Sequence, residues 1–271
     1  MITDKWEEEK GETLLLSSKD IEELQRVTLK GPEEELLADH HLHIKRKDIK
    51  SLYQQNYLND TIIDEYLLMI KARNPEEVAV TNSYFYQRFH SLGLEEGYKQ
   101  TRDWLKEDLR KKETILIPVC LKDHWTLIHI DTKQKVVYYL DSIVGSRNKS
   151  PAPGLMKNFI EKYYQVKGEV CQFRVKIRRN IPSQHNGVDC GVFLIAYAER
   201  LSRKAGFTFS QNHMSLFRWK ITWEILSGSL KEWVQRKENM PKQVRRGAGN
   251  AKKDVPKKTR KSRSKLKTRY R

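Results

Sequence analysis

Three short apolar stretches in the middle of the chain alternate with polar turns, as neighbouring β-strands do. The stretches are TILIPVC at 114–120, WTLIHID at 125–131 and VVYYLD at 136–141. They are rich in β-branched and aromatic residues, which favour strands. The second and third flank a four-residue polar loop, so we expect them to form a β-hairpin. A fourth, half-exposed strand is predicted at 171–177, where apolar and polar residues alternate.

Helices are predicted on both sides of these strands. Their ranges are 18–27, a short segment after 47–48, 61–71, 97–111, 151–164, a segment that begins at 190, and 219–233. In the 97–111 helix, Trp104, Leu105 and Leu109 share one face. In the last helix, Trp223 and residues 226–230 are expected to point inward. Helices, then strands, then helices indicate an α+β domain with a mixed central sheet flanked by helices.

Cys190 is predicted to begin a buried helix. It precedes the apolar run VFLIAY at 192–197 and follows a polar loop that ends in Asp189, a favourable N-cap residue. A thiol at a helix N-terminus lies at the positive end of the helix dipole, which favours the reactive thiolate. Gly191 would let the backbone beside the thiol come close to a substrate. Many buried cysteines are inert core residues, so this segment alone leaves both interpretations open.

The hairpin places a base and an acid side by side. If Asp131 pairs with Val136, the constant sum of paired residue numbers puts Thr126 opposite Asp141. His124 is two residues from Thr126 and therefore projects from the same face of the strand. His124 and Asp141 become diagonal cross-strand neighbours, about 7–8 Å apart along the backbone and within reach of each other's side chains. The hairpin thus predicts an imidazole beside a carboxylate.

Each of these residues also has an ordinary structural interpretation. A histidine at a strand entrance is usually a surface or core residue, and an aspartate at a strand exit usually forms a turn. The pair, together with a cysteine at a helix start, favours a Cys-His-Asp relay, because a nucleophile needs a base and the base needs an orienting group. The chain order His, Asp, Cys differs from that of papain, in which the cysteine comes first.

Several motifs between about residues 42 and 230 resemble those of the SUMO-specific cysteine proteases of the Ulp/SENP type. The motifs are LNDTII at 58–63, NSYFY at 82–86, Gly97-Tyr98 with Trp104, His124-Trp125, LDS at 140–142, Gln184, and DCG at 189–191. The resemblance implies a papain-like fold, rearranged so that the nucleophile comes late in the chain. It also implies a thiol protease without a cofactor that cleaves after the C-terminal Gly-Gly of SUMO or a related ubiquitin-like modifier, in precursor processing, in deconjugation or in both.

The resemblance implies a role for each of four catalytic residues. Cys190 attacks the glycine carbonyl, and His124 takes the thiol proton and later gives a proton to the leaving amine. Asp141 holds the imidazole in the required tautomer. Gln184 and the backbone amide of Cys190 stabilise the oxyanion, an effect that is typically worth about 3 kcal/mol for each donor.

The resemblance implies that four further residues bind the substrate. Trp125 and Tyr57 are expected to line a narrow tunnel for the Gly-Gly tail, beside Gly191. Asp60 is expected to pair with a basic residue of the modifier and favours SUMO. The family usually has Trp where this chain has Tyr57, and often a basic residue where it has Asp103, directly before the middle Trp. These two differences leave the identity of the modifier open.

Charge is distributed unevenly along the 271 residues, whose net charge is +17. Residues 1–39 hold 12 acidic and 5 basic side chains, and residues 241–271 hold 14 basic and 1 acidic side chain. We expect an acidic arm at 1–40, a protease domain at 41–235 and a basic tail at 236–271. The tail is too poor in apolar residues to fold, so it is predicted to be disordered. Its basic runs predict a nuclear localisation signal, a contact with nucleic acid, or both, with a solubilising tail and a cytoplasmic location as the alternatives.

Composition also bears on compartment and cofactors. The chain has three cysteines, an acidic start without an apolar signal segment, and no apolar stretch near the roughly 20 residues that span a bilayer. These features predict a nuclear or cytosolic protein with reduced thiols and no membrane contact. His40, His41 and His43 fit no metal-binding spacing, and no metal site is expected.

Three classes of function remain open at this point. The first is a protease for SUMO or another ubiquitin-like modifier. The second is an acetyltransferase of the same cysteine clan, which also orders its groups as His, acid, Cys; Gln184 and Trp125 favour the protease. The third is an adaptor that binds modifier without cleaving it. An adaptor has no need for all four catalytic groups, so their joint presence argues against it.

Overall fold

The computed structural model describes residues 12–13, 16–53, 56–146, 150–231 and 234–235, and it confirms the predicted α+β architecture. The helices are α1 (Ser18–Leu29), α2 (Arg46–Lys50), α3 (Asp60–Arg73), α4 (Tyr84–Thr101), α5 (Ala152–Val166), α6 (Cys190–Ser202) and α7 (Met214–Ser227). The strands are β1 (Glu12–Thr13), β2 (Leu36–Asp39), β3 (His43–Lys45), β4 (Val78–Val80), β5 (Thr114–Leu121), β6 (His124–Asp131), β7 (Val136–Leu140), β8 (Arg174–Ile177) and β9 (Val234–Gln235). Short 3₁₀ turns cover Arg102–Trp104, Leu109–Lys111, Val144–Ser146 and Gln211–His213. The predicted tail at 236–271 lies outside the described residues.

The central sheet has five strands in the order β4-β5-β6-β7-β8. The outer pairs are parallel and the inner pairs are antiparallel, so the sheet is mixed. Asp131 pairs with Val136, which is the register expected from the sequence. β5 and β6 are joined by Lys122 and Asp123, which both have positive φ (48° and 63°). Such a two-residue turn matches the twist of its strands, and it places His124 at the first position of β6.

Each face of the sheet packs against its own helices. On one face, α3, α6 and α7 bury residues that include Ile63, Leu116, Leu127, Leu140, Ile195 and Ile221. On the other face, α4 and α5 bury residues that include Phe89, Ile117, Ile128, Tyr139 and Phe159. Because successive strand residues point to opposite faces and both faces are covered, β5, β6 and β7 are almost continuously apolar. The N-terminus of α6 meets the sheet at one end of β6.

The acidic N-terminal part of the chain packs onto the same body. α1 begins with a capping box and buries Leu24 and Thr28. β2 and β3 form an antiparallel hairpin. The buried Arg46 guanidinium donates to the Glu35 carboxylate at 2.6 Å. The hairpin spans residue 40, where the sequence predicts a domain boundary.

The prediction of a helix at 97–111 is wrong in its bounds. The observed helix, α4, runs from Tyr84 to Thr101, and Gly93 interrupts it with a φ of 74°. A glycine of this kind suggests a helix boundary in the sequence, yet here the chain resumes its helix directly afterwards. Trp104, expected on the buried face, lies in a 3₁₀ turn with 43% of its surface exposed.

The last helix and the last sheet strand also differ from their predictions. The helix predicted at 219–233 is α7, which begins at Met214 and ends before Gly228. Its buried apolar residues are Met214, Phe217, Ile221 and Ile225. Trp223, expected to point inward, is half-buried. The strand predicted at 171–177 is limited to β8 at the edge of the sheet.

In the part of the chain that the structure describes, no helix is both long and apolar enough to cross a membrane. The same described residues contain no cluster of three or more His, Cys, Asp or Glu side chains that could hold a metal ion.

Candidate active site

The structure brings His124 and Asp141 together at the end of the β6–β7 hairpin. His124 Nε2 lies 2.7 Å from Asp141 Oδ1. The buried Asp141 carboxylate also accepts the backbone N–H of Ile143 at 2.8 Å and the hydroxyl of Tyr139 at 3.4 Å. These donors hold the carboxylate in one orientation. Because Nε2 faces Asp141, Nδ1 is the ring nitrogen that can serve Cys190.

Cys190 is the first residue of α6, and it is 1% exposed. Burial disfavours the imidazolium form of His124, but hydrogen bonds with Asp141 and with Cys190, and their negative charges, outweigh burial. Together they raise the pKa of His124 from 6.5 to about 9. The imidazolium is therefore the favoured form near neutral pH, as a thiolate–imidazolium pair requires.

Asp189 occupies the N-cap position of α6, as the sequence predicts. The side chain makes no cap hydrogen bond. Its carboxylate instead accepts from Arg218 Nη2 at 2.6 Å, Asn186 Nδ2 at 2.7 Å and Gln211 Nε2 at 2.7 Å. A buried guanidinium attracts the carboxylate more strongly than neutral backbone N–H groups do.

Gln184 is held on both its backbone and its side chain. Its backbone N–H donates to the carbonyl oxygen of Ser142 at 3.0 Å, and the Ser142 hydroxyl donates to Gln184 Oε1. Gln184 Nε2 donates to the carbonyl oxygen of Asn186 at 2.6 Å. A primary amide has two N–H donors, so the second one can donate to a substrate oxygen. Ser142 directly follows Asp141 and thereby joins the acid to this loop.

Gly191 packs inside the protein rather than opening onto a surface. A Cβ atom at Gly191 would lie 2.8 Å from Leu58 Cβ and 3.2 Å from Trp125 Cδ1. The buried Trp125 also donates from Nε1 to the carbonyl oxygen of Leu58 at 2.9 Å. The absence of a side chain at Gly191 therefore lets α6 lie directly against these two residues.

Tyr57 and Asp60 lie on either side of a firmly held segment. Asn59 caps α3 by accepting the N–H of Ile62 at 3.1 Å, and it donates to the Asp48 carboxylate at 2.8 Å. Tyr57 is 52% exposed, and Asp60 is half-buried at the start of α3. Both side chains are thus accessible to a binding partner while the backbone behind them is anchored.

Sequence reasoning missed the residues that support this site. They are Asn186, Gln211 and Arg218, together with the Ser142 side chain. The sequence does contain a signal that could have identified Arg218, because this arginine lies within the mainly apolar segment LFRWKITWEIL at 216–226. An arginine on a buried helix needs an anionic partner, and Asp189 is that partner.

Comparison with known proteins identifies the family. Residues 56–230 match the Ulp1 protease family, C-terminal catalytic domain. This chain belongs to the Ulp1 protease family. The family predicted from the motifs is thereby confirmed.

Individual relatives and structures agree with this membership. Sentrin-specific protease 2 of Homo sapiens is 32% identical over 241 residues, which cover 80% of this chain and 38% of that protein. Sentrin-specific protease 3 of Homo sapiens is 32% identical over 186 residues, which cover 66% of this chain and 31% of that protein. The chain thus spans about two fifths or less of the length of these curated relatives.

A solved structure supports the fold as well. The X-ray structure of the C-terminal Ulp1 protease domain, in complex with Smt3, the yeast ortholog of SUMO, aligns with a TM-score of 0.69 and 28% identity. The alignment covers 80% of this chain and 97% of the Ulp1 chain. The likeness confirms the predicted papain-like protease fold with a late nucleophile.

Proposed function

We propose that this chain is a thiol protease that cleaves after the C-terminal Gly-Gly of SUMO-type modifiers, in deconjugation, precursor processing or both. The observation that carries the proposal is the joint placement of four groups: Cys190 at a helix start, His124 beside it, Asp141 behind His124, and Gln184 on an anchored loop. The names of the sentrin-specific relatives and the Smt3 complex of Ulp1 support SUMO as the modifier.

The proposed reaction uses these groups in two stages. Cys190 attacks the carbonyl carbon of the terminal glycine as a thiolate, and the oxyanion accepts hydrogen bonds from Gln184 and from the Cys190 N–H. His124 then gives its proton to the leaving amine, and a thioester remains. His124 next takes a proton from water, and the resulting hydroxide adds to the thioester carbonyl; the C–S bond then breaks, which releases the modifier with a free C-terminal carboxylate and returns Cys190 as the thiolate beside the protonated His124. Asp141 keeps the imidazole oriented throughout.

Substrate binding is assigned to the surface around the buried nucleophile. Because Cys190 is almost fully buried, and Gly191 beside it packs against Trp125 and Leu58, a substrate has to reach the thiol as a thin extended chain. A Gly-Gly tail fits this requirement, since it has no side chains. Tyr57 is proposed to line the approach, and Asp60 is proposed to pair with a basic residue of the modifier.

The most basic part of the tail, residues 241–271, is proposed to direct the protein to the nucleus and to contact nucleic acid. Its 14 basic side chains against 1 acidic one support both roles. Expression of the full chain and of a chain that ends at Met240, each followed by fluorescence microscopy, tests the first role. An unchanged nuclear fraction without the tail would exclude it as the signal.

The experiment that tests the proposed function is cleavage of a modifier panel. SUMO forms, the Nedd-type modifier and ubiquitin, each with a C-terminal fluorogenic group, are incubated with the full chain. We expect cleavage of SUMO, loss of cleavage in Cys190→Ala with modifier binding retained, and normal cleavage in the matched control Cys171→Ala. Cys171 is half-buried beside α5, away from the site.

The other outcomes separate the remaining functions. Cleavage of another modifier in preference to SUMO would reject SUMO as the substrate, and Tyr57 with Asp103 would then mark the change. Binding of SUMO without cleavage by the unchanged chain would indicate an adaptor. Acetyl transfer from acetyl-CoA without peptide cleavage would indicate an acetyltransferase.

A further inference from the structure

A buried negative charge directly precedes the nucleophile. Asp189 is 4% exposed and adjacent in the chain to Cys190. Its carboxylate accepts hydrogen bonds from Asn186 and Gln211, and it also accepts two from Arg218, through Nε at 3.1 Å and Nη2 at 2.6 Å. A carboxylate at this position opposes formation of a thiolate, because like charges in a buried site repel.

Arg218 connects three parts of the site. It projects from α7 and is 6% exposed. Besides Asp189, its guanidinium donates to the carbonyl oxygen of Val188 at 3.2 Å, in the turn before the nucleophile. It also donates to the carbonyl oxygens of Ser51 at 3.3 Å and Asn56 at 3.0 Å. Asn56 directly precedes Tyr57, so one side chain holds both the nucleophile turn and the start of the proposed binding segment.

Two titratable groups lie near the thiol, on strands that pack against α6. His124 of β6 hydrogen-bonds with Cys190, and Asp141 lies behind it. Burial raises the pKa of the Cys120 thiol of β5, and the charges of Cys190, Asp123 and Asp60 raise it further. Arg218 of α7 brings a permanent positive charge to the turn that carries Cys190.

We propose that Arg218 is a positioning residue for the reaction: it neutralises Asp189 beside the nucleophile and clamps the nucleophile turn to the segment that leads to Tyr57. A guanidinium suits both tasks, since it is always charged and its planar fork presents five donors. The inference rests on the proposed role of Cys190. Alkylation of the thiol needs no modifier, so it tests the inference separately from cleavage.

The test measures the pH midpoint of Cys190 alkylation by iodoacetamide in the full chain, read by mass spectrometry of the Cys190 peptide. In Arg218→Gln the midpoint should rise by about one pH unit, because Asp189 becomes uncompensated. Asn186 and Gln211 still donate to the carboxylate and hold it in place beside the nucleophile. In the double variant Arg218→Gln with Asp189→Asn, the midpoint should return towards that of the unchanged chain.

One further variant separates the charge of the Arg218 side chain from its planar shape, and another serves as a control. Arg218→Lys keeps the charge but loses the fork, so its midpoint should stay near that of the unchanged chain while kcat on the cleaved modifier falls several-fold. Arg203→Gln is the matched control, because Arg203 pairs with Glu199 near the other end of α6 at 2.8 Å. Its midpoint should not move. An equal shift in Arg203→Gln would overturn the proposal.

Several results would contradict the role of Arg218. One is an unchanged midpoint in a folded Arg218→Gln protein. Another is a double variant that keeps the full shift, since the charge of Asp189 would then be irrelevant. Circular dichroism shows whether Arg218→Gln folds. If it does not fold, the alkylation midpoint of the single variant Asp189→Asn tests the proposal. Its midpoint should be equal to or lower than that of the unchanged chain, and a rise would reject the proposal.

Discussion

The two halves of the site, the β6–β7 hairpin and the loop at 183–189 before α6, are held in different ways. In the hairpin, His124 and Asp141 are 17 residues apart and are aligned by strand pairing. In the loop, Gln184 is held by Ser142, 42 residues away, and Asp189 by Arg218, 29 residues away. The positions of the proposed base and acid therefore follow from local pairing, whereas those of the proposed nucleophile and oxyanion donor depend on how distant elements pack. Substitutions in the hairpin should therefore abolish proton transfer. Substitutions around the loop should instead displace the nucleophile or the oxyanion donor from its position.

The largest effect is expected in the hairpin. His124→Ala should lower kcat/KM by about 10⁴-fold or more, as loss of Cys190 should, because the proposed relay acts as a unit. Asp141→Asn should lose a similar or smaller amount. Steady-state kinetics with the fluorogenic SUMO substrate provide the measurement. His185→Ala, which changes an exposed histidine of the loop, is the control and should stay active. An essential His129 or His185 in place of His124 would refute the hairpin argument.

The next effect concerns the loop. Gln184→Ala should lower kcat by about 10²–10³-fold with little change in KM, because it removes a donor to the oxyanion. Ser142→Ala should lose less, since the Gln184 amide keeps its bond to the Asn186 carbonyl. Kinetics of both variants under saturating substrate test the order. A rise in KM alone for Gln184→Ala would reject its assignment as the oxyanion donor.

A methyl group added at Gly191 of α6 should show how far activity depends on the packing of this helix, because it leaves the catalytic side chains unchanged. Gly191→Ala forces α6 away from Leu58 and Trp125, so we expect a loss of about 1–3 kcal/mol in the free energy of unfolding and roughly tenfold lower activity. Urea denaturation measures the first quantity. Gly154→Ala in α5 is the matched control, because a Cβ there meets no atom within 4 Å. It should leave activity unchanged and stability equal or slightly higher. Equal stabilities for the two variants would contradict the tight packing at Gly191.

The pH profile should show the charged state of the hairpin base. With a His124 pKa of about 9, kcat/KM should be halved near pH 9 and fall further above it, as the imidazolium loses its proton. The raised pKa also adds folding stability that is complete below pH 6.5 and is lost as the pH rises through about 9. Asp141→Asn should move the alkaline limb to lower pH. NMR titration of the His124 ring gives the same midpoint independently, and a midpoint near 6.5 would exclude the ion pair.

The smallest effect is expected at the mouth of the site. Tyr57→Trp should lower KM for SUMO a few-fold with kcat nearly constant, because the larger ring covers more of the tail and the relay is untouched. About half of Tyr57 is exposed, which limits the gain. Kinetics on the whole modifier panel test this. No change on any modifier would indicate that Tyr57 does not contact the tail.

Prediction from sequence succeeded where a short-range rule applied. The hairpin register follows from a four-residue loop and period-two alternation, so His124 and Asp141 could be placed without knowledge of the rest of the fold. It failed at α4, where Gly93 interrupts a helix without ending it. At Asp189 it gave the N-cap position but not the partner of the side chain, because a buried guanidinium competes with the helix N–H groups for the carboxylate.

The sequence by itself determined the three central strands β5, β6 and β7, the helix that begins at Cys190, the family, and the pairing that sets His124 beside Asp141. Tertiary structure alone decided that Asp189 faces Arg218, that Ser142 orients Gln184, and that Gly191 lies against Trp125. The physical reason is the range of the interactions. Strand pairing is set by neighbours along the chain, whereas a buried carboxylate, amide or glycine takes its partner from whichever element folds against it.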